Sequence, residues 1–272
     1  VRTLNGAGGV LIGVLVAVMV LSLGRHYGDP AYSKTRGWRD LAAAITRLSD
    51  GLPPESVRVA QNFPDPTLWY YYRGPVEHVV LPPQANDAAA ARSAAQALAA
   101  EGVRRVILPV QPAANWDAEG LAAGALDGWF DRAAQTQEGV WPVLVYAQPG
   151  GALTPVDTVF ANGVTLRGMV LAPDALLPGC LLTVHLDWAM EDPATVTTTD
   201  APAAGIKVFV QLLDGTGQLV AQDDRPLVLS GPRAAGSGLA VYGLMLPAEL
   251  AHGPYRLITG LYDPTQSGAP RV

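Results

Sequence analysis

The chain opens on an unbroken apolar run, LNGAGGVLIGVLVAVMVLSLG over Leu4–Gly24, with Arg2 ahead of it and Arg25 and His26 behind. A helix of about 20 apolar residues crosses a hydrocarbon core of roughly 30 Å, so the run predicts a membrane span within residues 1–25. Gly9, Gly13 and Ala17 recur at i, i+4 spacing and predict a face that other transmembrane helices approach closely. A secretory signal peptide is the alternative, but its apolar region is usually about 7–15 residues and ends in a small-x-small cleavage site, which this run lacks. The GAGG within the run follows no strand and does not complete a Gly-x-Gly-x-x-Gly pattern, so no dinucleotide loop is expected. Arg25, Lys34, Arg36 and Arg39 cluster after the span; counted literally they hold the rest of the chain in the cytoplasm, but long domains cross a membrane largely regardless of charge. The chain begins at Val1 without methionine, and further sequence upstream is expected.

From residue 26 to residue 150 helical and strand patterns alternate. In GWRDLAAAITRLSDGL, Trp38, Leu41, Ile45 and Leu48 fall at helical spacing; SVRVAQN and EHVVLPP read as strands. DAAAARSAAQALAAEG predicts a helix ending at Gly102, VRRVILPV a strand, WDAEGLAAGALDGWFDRAAQ another helix and WPVLVYAQP a further strand. Helices alternating with short apolar strands predict an α/β domain, an open and mainly parallel sheet with helices on its faces. Ligands of such sheets sit beyond the carboxyl ends of the strands.

After residue 150 the periodicity changes. Over 151–272, TVFANGVTLRGMVLAP, CLLTVHLDWAM, GIKVFVQLLDGTGQLVAQDDRP, LAVYGLMLP and GPYRLITGLYDP are short alternating strands punctuated by Gly, Pro and Asp. Val208, Val210 and Leu212 alternate inward on a hairpin whose turn is built from Asp214, Gly215 and Gly217. No helix of useful length is expected beyond residue 155. The segment predicts an antiparallel β-sandwich, making the whole chain α/β plus all-β.

Composition narrows the chemistry. The 272 residues suffice for two domains of ordinary size; 49% are hydrophobic and 15% charged, which supports folding rather than disorder. A net charge of −6 with no basic run argues against a nucleic-acid partner. His26, His78, His185 and His252 are scattered without zinc-binding spacing, and neither a Gly-x-Ser-x-Gly elbow nor a phosphate-binding loop occurs. Cys180, the single cysteine, reads as a small core or edge residue at a strand start. Asp214, Asp223 and Asp224 read as solvated hairpin ends, with a calcium site as the alternative; His185 and Asp187 share one side of a strand and are expected on the outer face of the sandwich. No catalytic residue, metal or cofactor is assigned.

The aromatic run in QNFPDPTLWYYYRGP is the feature most suggestive of a ligand. Pro64 and Pro66 set a turn that Asp65 or Thr67 caps, and Trp69, Tyr70, Tyr71 and Tyr72 come next. Successive helical residues lie about 100° apart, so no more than two of the four share a surface. The run therefore predicts packing under the sheet edge with a tyrosine tip in water. The residues it leaves for a saccharide or lipid-headgroup contact are Asp65, Tyr70 and Arg73.

The order of motifs resembles the extracytoplasmic tail of bacterial membrane glycosyltransferases of the protein-mannosyltransferase and aminoarabinose-transferase type. The likeness is carried by the span running into GRHYGDPAYSKTRGWRDLAAAI, by NFPDPTLWYYYRG, and by VTLRGMVL, VFVQLLDGTGQLVAQDDRP, LPAEL and GPYRLITGLYDP. Such tails often carry a Trp and a Pro-Gly after the hairpin, where this chain reads GPRAAGSGLAVYG and has neither. The resemblance implies transfer of a sugar from a polyprenyl-phosphate donor by a carboxylate in the first extracytoplasmic loop, which is not among the residues that match. It also implies that the present segment assists acceptor or glycan engagement. The alternatives are a singly anchored carbohydrate-binding module and a structural envelope protein.

Overall fold

A computed structural model describes residues 6–29, 37–161, 163–190, 205–227 and 237–265. Lys34 and Arg36 of the charge count and the GPRAAG stretch ahead of Ser237 lie outside the described residues.

The apolar run forms α1 (Gly6–Gly28), which continues a turn past Gly24 through Arg25 and His26. It is long and apolar enough to cross a membrane, a test that a signal sequence also meets. Val10, Leu15 and Leu21 each expose more than half of their surface, and nothing lies within 4 Å of the Cβ positions of Gly9 and Gly13.

The first lobe begins at α2 (Trp38–Ser49), whose buried stripe is Trp38, Leu41, Ala44, Ile45 and Leu48. After it come β1 (Val57–Gln61), α3 (Pro66–Tyr71), β2 (Glu77–Val80), α4 (Ala88–Ala100), β3 (Arg105–Pro109), α5 (Leu121–Leu126), β4 (Asp131–Glu138) and β5 (Trp141–Ala147). The sheet order is β2-β1-β3-β5-β4. Alternation along the strands divides the core: Val57, Val59, Ile107, Val143 and Val145 meet α2 and α3, while Ala60, Val106, Leu108, Leu144 and Tyr146 meet α4 and α5.

Two expectations change here. The long helix predicted over WDAEGLAAGALDGWFDRAAQ is a 3-10 turn, the six-residue α5, and then strand β4. Glu119 and Gly120 both take left-handed conformations, and Gly124 and Gly128 lower helix propensity further along, so the helix stops and Ala133 and Ala134 are buried as strand residues. With β4 at the edge, β5 returns between β3 and β4, antiparallel to both. Two pairings are parallel and two antiparallel, so the sheet is mixed where the sequence predicts mainly parallel pairing.

The second lobe holds β6 (Thr154–Val159), β7 (Val164–Ala172), β8 (Leu181–Met190), β9 (Lys207–Leu213), β10 (Leu219–Pro226), β11 (Ser237–Met245) and β12 (Arg256–Tyr262). They form two antiparallel sheets, β11-β8-β7-β6 and β10-β9-β12, which share one apolar cluster. Val208, Val210 and Leu212 are buried in it, as is Cys180, whose thiol burial pushes upward in pKa. The hairpin turn closes on Asp214, whose Oδ1 accepts from the Thr216 hydroxyl and from the amides of Thr216 and Gln218.

Strand β8 is covered on both faces. Leu182, Val184, Leu186 and Trp188 enter the shared cluster, while Thr183, His185 and Asp187 lie on the opposite side. That side is not a solvated outer face, as the sequence predicts, because the first lobe packs over it. His185 is 1% exposed and Asp187, paired with Arg167 at 3.0 Å, is 8% exposed. On the neighbouring strand, Val241 clusters with Ala133 and Ala147, and a side chain at Gly243 would collide with the Ala133 carbonyl.

Arg105 fastens the two lobes. It is 1% exposed, and its guanidinium donates to the carbonyls of Leu48 (2.6 Å), Leu181 (3.0 Å) and Ala172 (3.3 Å), at the end of α2, the start of β8 and the end of β7. Burial lowers its pKa to about 10, so it stays charged at neutral pH. Arg105→Met should strand these buried carbonyls and cost about 3 kcal/mol, read as a lower urea midpoint of the full chain in detergent. His185, with neither ring nitrogen hydrogen-bonded, is held down to about 4 by burial and then by the nearby Arg105 charge. The folded state therefore binds fewer protons than the unfolded chain, and stability falls as pH drops from about 6.5 towards 4, by about 3 kcal/mol in all. His185→Leu should flatten the pH 5–6.5 portion of that slope, measured as unfolding midpoint against pH.

Candidate functional site

The carboxyl ends of β1, β2 and β3 lie together, and the loops that leave them are tied by buried polar side chains. Asn62, directly after β1, donates through Nδ2 to the Gln111 carbonyl (2.8 Å) and to Asp117 Oδ2 (3.0 Å), while its Oδ1 accepts from the Gln111 amide (2.9 Å). Asp117 Oδ1 accepts from the amide of Ala122 and so fixes the start of α5. Trp116 donates from its indole to the Pro82 carbonyl (2.9 Å) and packs edge-on to Phe63 at 6.2 Å between ring centroids. Asn86, in a left-handed conformation, accepts from the Ala118 amide. Both carboxylate oxygens of Asp117 and the Asn62 amide are thus engaged, which ties the loops of this edge into one hydrogen-bonded frame.

The frame presents α3. Asp65 caps it, its Oδ1 accepting from the Thr67 amide at 2.8 Å, and Pro66 takes the first helical position. Of the four aromatics, Tyr72 is buried, with its hydroxyl accepting from the Val76 amide, and Tyr71 packs half-buried against the core. Trp69 is 47% exposed and Tyr70 67% exposed. The run is therefore divided, two inward and two outward, with Tyr72 turned in by extended backbone just past the helix end. His78 on β2 lies 6.1 Å from Trp69 and 5.3 Å from Tyr72 between ring centroids, and burial lowers its pKa.

The structure brings two of the three predicted contact residues together. The guanidinium of Arg73 lies 5.4 Å from the centroid of the Tyr70 ring. Asp65 is separate, committed to its cap at the opposite end of α3. Gln61, at the end of β1, has a buried Oε1 without a hydrogen-bond partner, and its Nε2 donates to the Asp65 carbonyl.

No family model matches this chain, and no curated protein matches it.

Other groups of chemical interest are dispersed over the chain. His26, His78, His185 and His252 lie on α1, β2, β8 and the loop before β12. Among the described residues no cluster of His, Cys, Asp and Glu is placed to hold a metal ion. Asp223 takes Arg225 at 2.7 Å and the Gly243 amide, Asp224 takes the Tyr262 hydroxyl, and Asp214 closes its turn, so the three do not converge as calcium binding requires. A cleft of about 430 Å³ between the lobes is lined by Arg104, Gly150, Gly151, Val170 and Asp174.

Sequence reasoning passed over Asn62, Asp117 and Arg105. Asn62 and Arg105 left a signal, a polar side chain at the end of a buried stretch, whereas Asp117 sits among exposed loop residues and left none. Asn62→Ala should unpair the Gln111 backbone and one Asp117 oxygen and lower stability by about 2 kcal/mol without changing the far-ultraviolet circular dichroism.

Proposed function

We propose that this chain is the extracytoplasmic part of a membrane glycosyltransferase that uses a polyprenyl-phosphate-linked sugar, holding acceptor or glycan while the transfer chemistry is carried by another region. The single observation behind this reading is the state of α1: a 23-residue apolar helix with its side chains turned outward and no core against them, leading at once into a folded two-lobed body. Such a helix is stable when lipid or other apolar helices cover it. The order of sequence motifs supports the transferase assignment. The two antiparallel sheets sharing one apolar cluster are read as the β-sandwich of such a tail.

The division of labour has a physical reason. A lipid-linked donor must be met at the membrane surface by a carboxylate that takes the acceptor proton and by cations that hold the phosphate. The lobes offer instead a braced edge with exposed aromatic and guanidinium groups, suited to contact rather than turnover. A singly anchored carbohydrate-binding or structural envelope module is the second reading, favoured by the engagement of Asn62 and Asp117 in purely structural bonds.

Expressed in a bacterium, the full chain should sediment with membranes, resist carbonate extraction and be released by detergent; protease added to spheroplasts should digest its lobes. Recovery in the soluble fraction would remove the anchor, and protection in spheroplasts would reverse the sidedness. On a glycan array the detergent-solubilised chain should retain a defined set of sugars; a blank array would leave the structural reading.

A further inference from the structure

The outward side of α3 and a residue just beyond its end carry three groups that belong together chemically at one kind of surface. Trp69 and Tyr70 are the exposed aromatics of this helix, and Arg73 lies over the Tyr70 ring. Indole and phenol rings partition to the boundary between hydrocarbon and headgroups, where their apolar bodies and polar tips are both satisfied. An arginine beside them presents its planar fork to headgroup phosphate. Among the described residues no carboxylate stands within ion-pair distance of Arg73.

The chain's own connectivity places this surface near lipid. Helix α1 ends at Gly28 and α2 starts at Trp38, so nine residues join them. The ten steps from Gly28 to Trp38 reach at most about 36 Å when fully extended, which keeps the start of α2 within that distance of the end of the apolar helix. Helix α3 packs directly on α2, and Trp38, the first residue of α2, packs on Trp141 at 4.3 Å between ring centroids, beside the carboxyl end of β3 and so at the same sheet edge from which α3 leaves β1. The point where the chain enters the folded body is therefore also the place where the aromatic face is displayed. On the far side of α2, Leu48 is bonded to Arg105 and through it to the second lobe, so that lobe is held at the other end of the helix.

We propose that Trp69, Tyr70 and Arg73 form a second, peripheral contact with the bilayer, seating the first lobe in the headgroup layer beside α1. This inference rests on the anchoring of α1 and adds an orientation to it. A free tether leaves the body to tumble; a lobe seated through α3 holds the carboxyl-edge frame at a fixed height over the membrane.

The test uses the full chain in lipid nanodiscs that contain a lipid with a spin label on its headgroup. Tryptophan emission should be quenched in the unaltered chain, Trp69→Phe should remove most of that quenching, and Trp129→Phe, which alters another exposed indole, should leave it in place. Tyr70→Cys carrying an environment-sensitive dye should shift to the blue in nanodiscs relative to the same protein in detergent, a readout independent of any effect of the Trp69 change on folding. Unchanged quenching in Trp69→Phe together with an unshifted dye overturns the proposal. Quenching or a dye shift that added glycan abolishes also overturns it and assigns the face to sugar. A chain that does not enter the discs overturns the anchoring reading and this one with it, whereas a chain that enters them with Trp69 unquenched overturns this one alone.

Discussion

One buried cation organises the molecule. Arg105 sits inside an apolar strand and spends its guanidinium on three backbone carbonyls from three different elements. Placing a charge there without a carboxylate is costly, and the cost is met by charge-assisted hydrogen bonds whose geometry requires the end of α2, the end of β7 and the start of β8 to converge. A lysine offers no planar fork to reach all three. The lobes are thus joined by a directional contact, to which the small apolar contacts of Ala133, Ala147 and Val241 add closeness.

That arrangement explains why polar residues appear where an alternating strand should show a wet face. Thr183, His185 and Asp187 have the alternation of a sheet exposed on one side, but their side is the seam. Asp187 keeps its partner Arg167 at the rim. His185 is held neutral by loss of water and by the neighbouring guanidinium. The seam is therefore polar in composition yet buried, and its imidazole makes it sensitive to acid.

Much of the architecture was legible in the sequence because local patterns agreed with the fold. The stripe Trp38, Leu41, Ile45, Leu48 needed only helical geometry, and the β9–β10 hairpin needed only its Asp-Gly-Thr-Gly turn. The features that were not legible depended on partners distant in sequence. The stretch around Asp131 has helix-compatible composition, and its burial as β4 is decided by pairing with β5. The buried side of β8 looked solvated because no pattern within a strand tells water from a second lobe. At the candidate site, helical rotation sets Trp69 and Tyr70 apart from Tyr71, whereas the extended backbone that buries Tyr72, the pairing of Arg73 with Tyr70 and the choice of Asp65 over Thr67 as the cap are decided by the folded chain.

Strand β8 has no free face: one side lines the core of its own lobe and the other is pressed against α2 and the first sheet. Separating the lobes at the seam would wet a buried imidazole and a threonine hydroxyl together with apolar neighbours, a cost that holds them together. Each lobe is thus the other's shelter from solvent, and cutting the chain near Gly150 would leave both halves showing a surface that is buried in the whole.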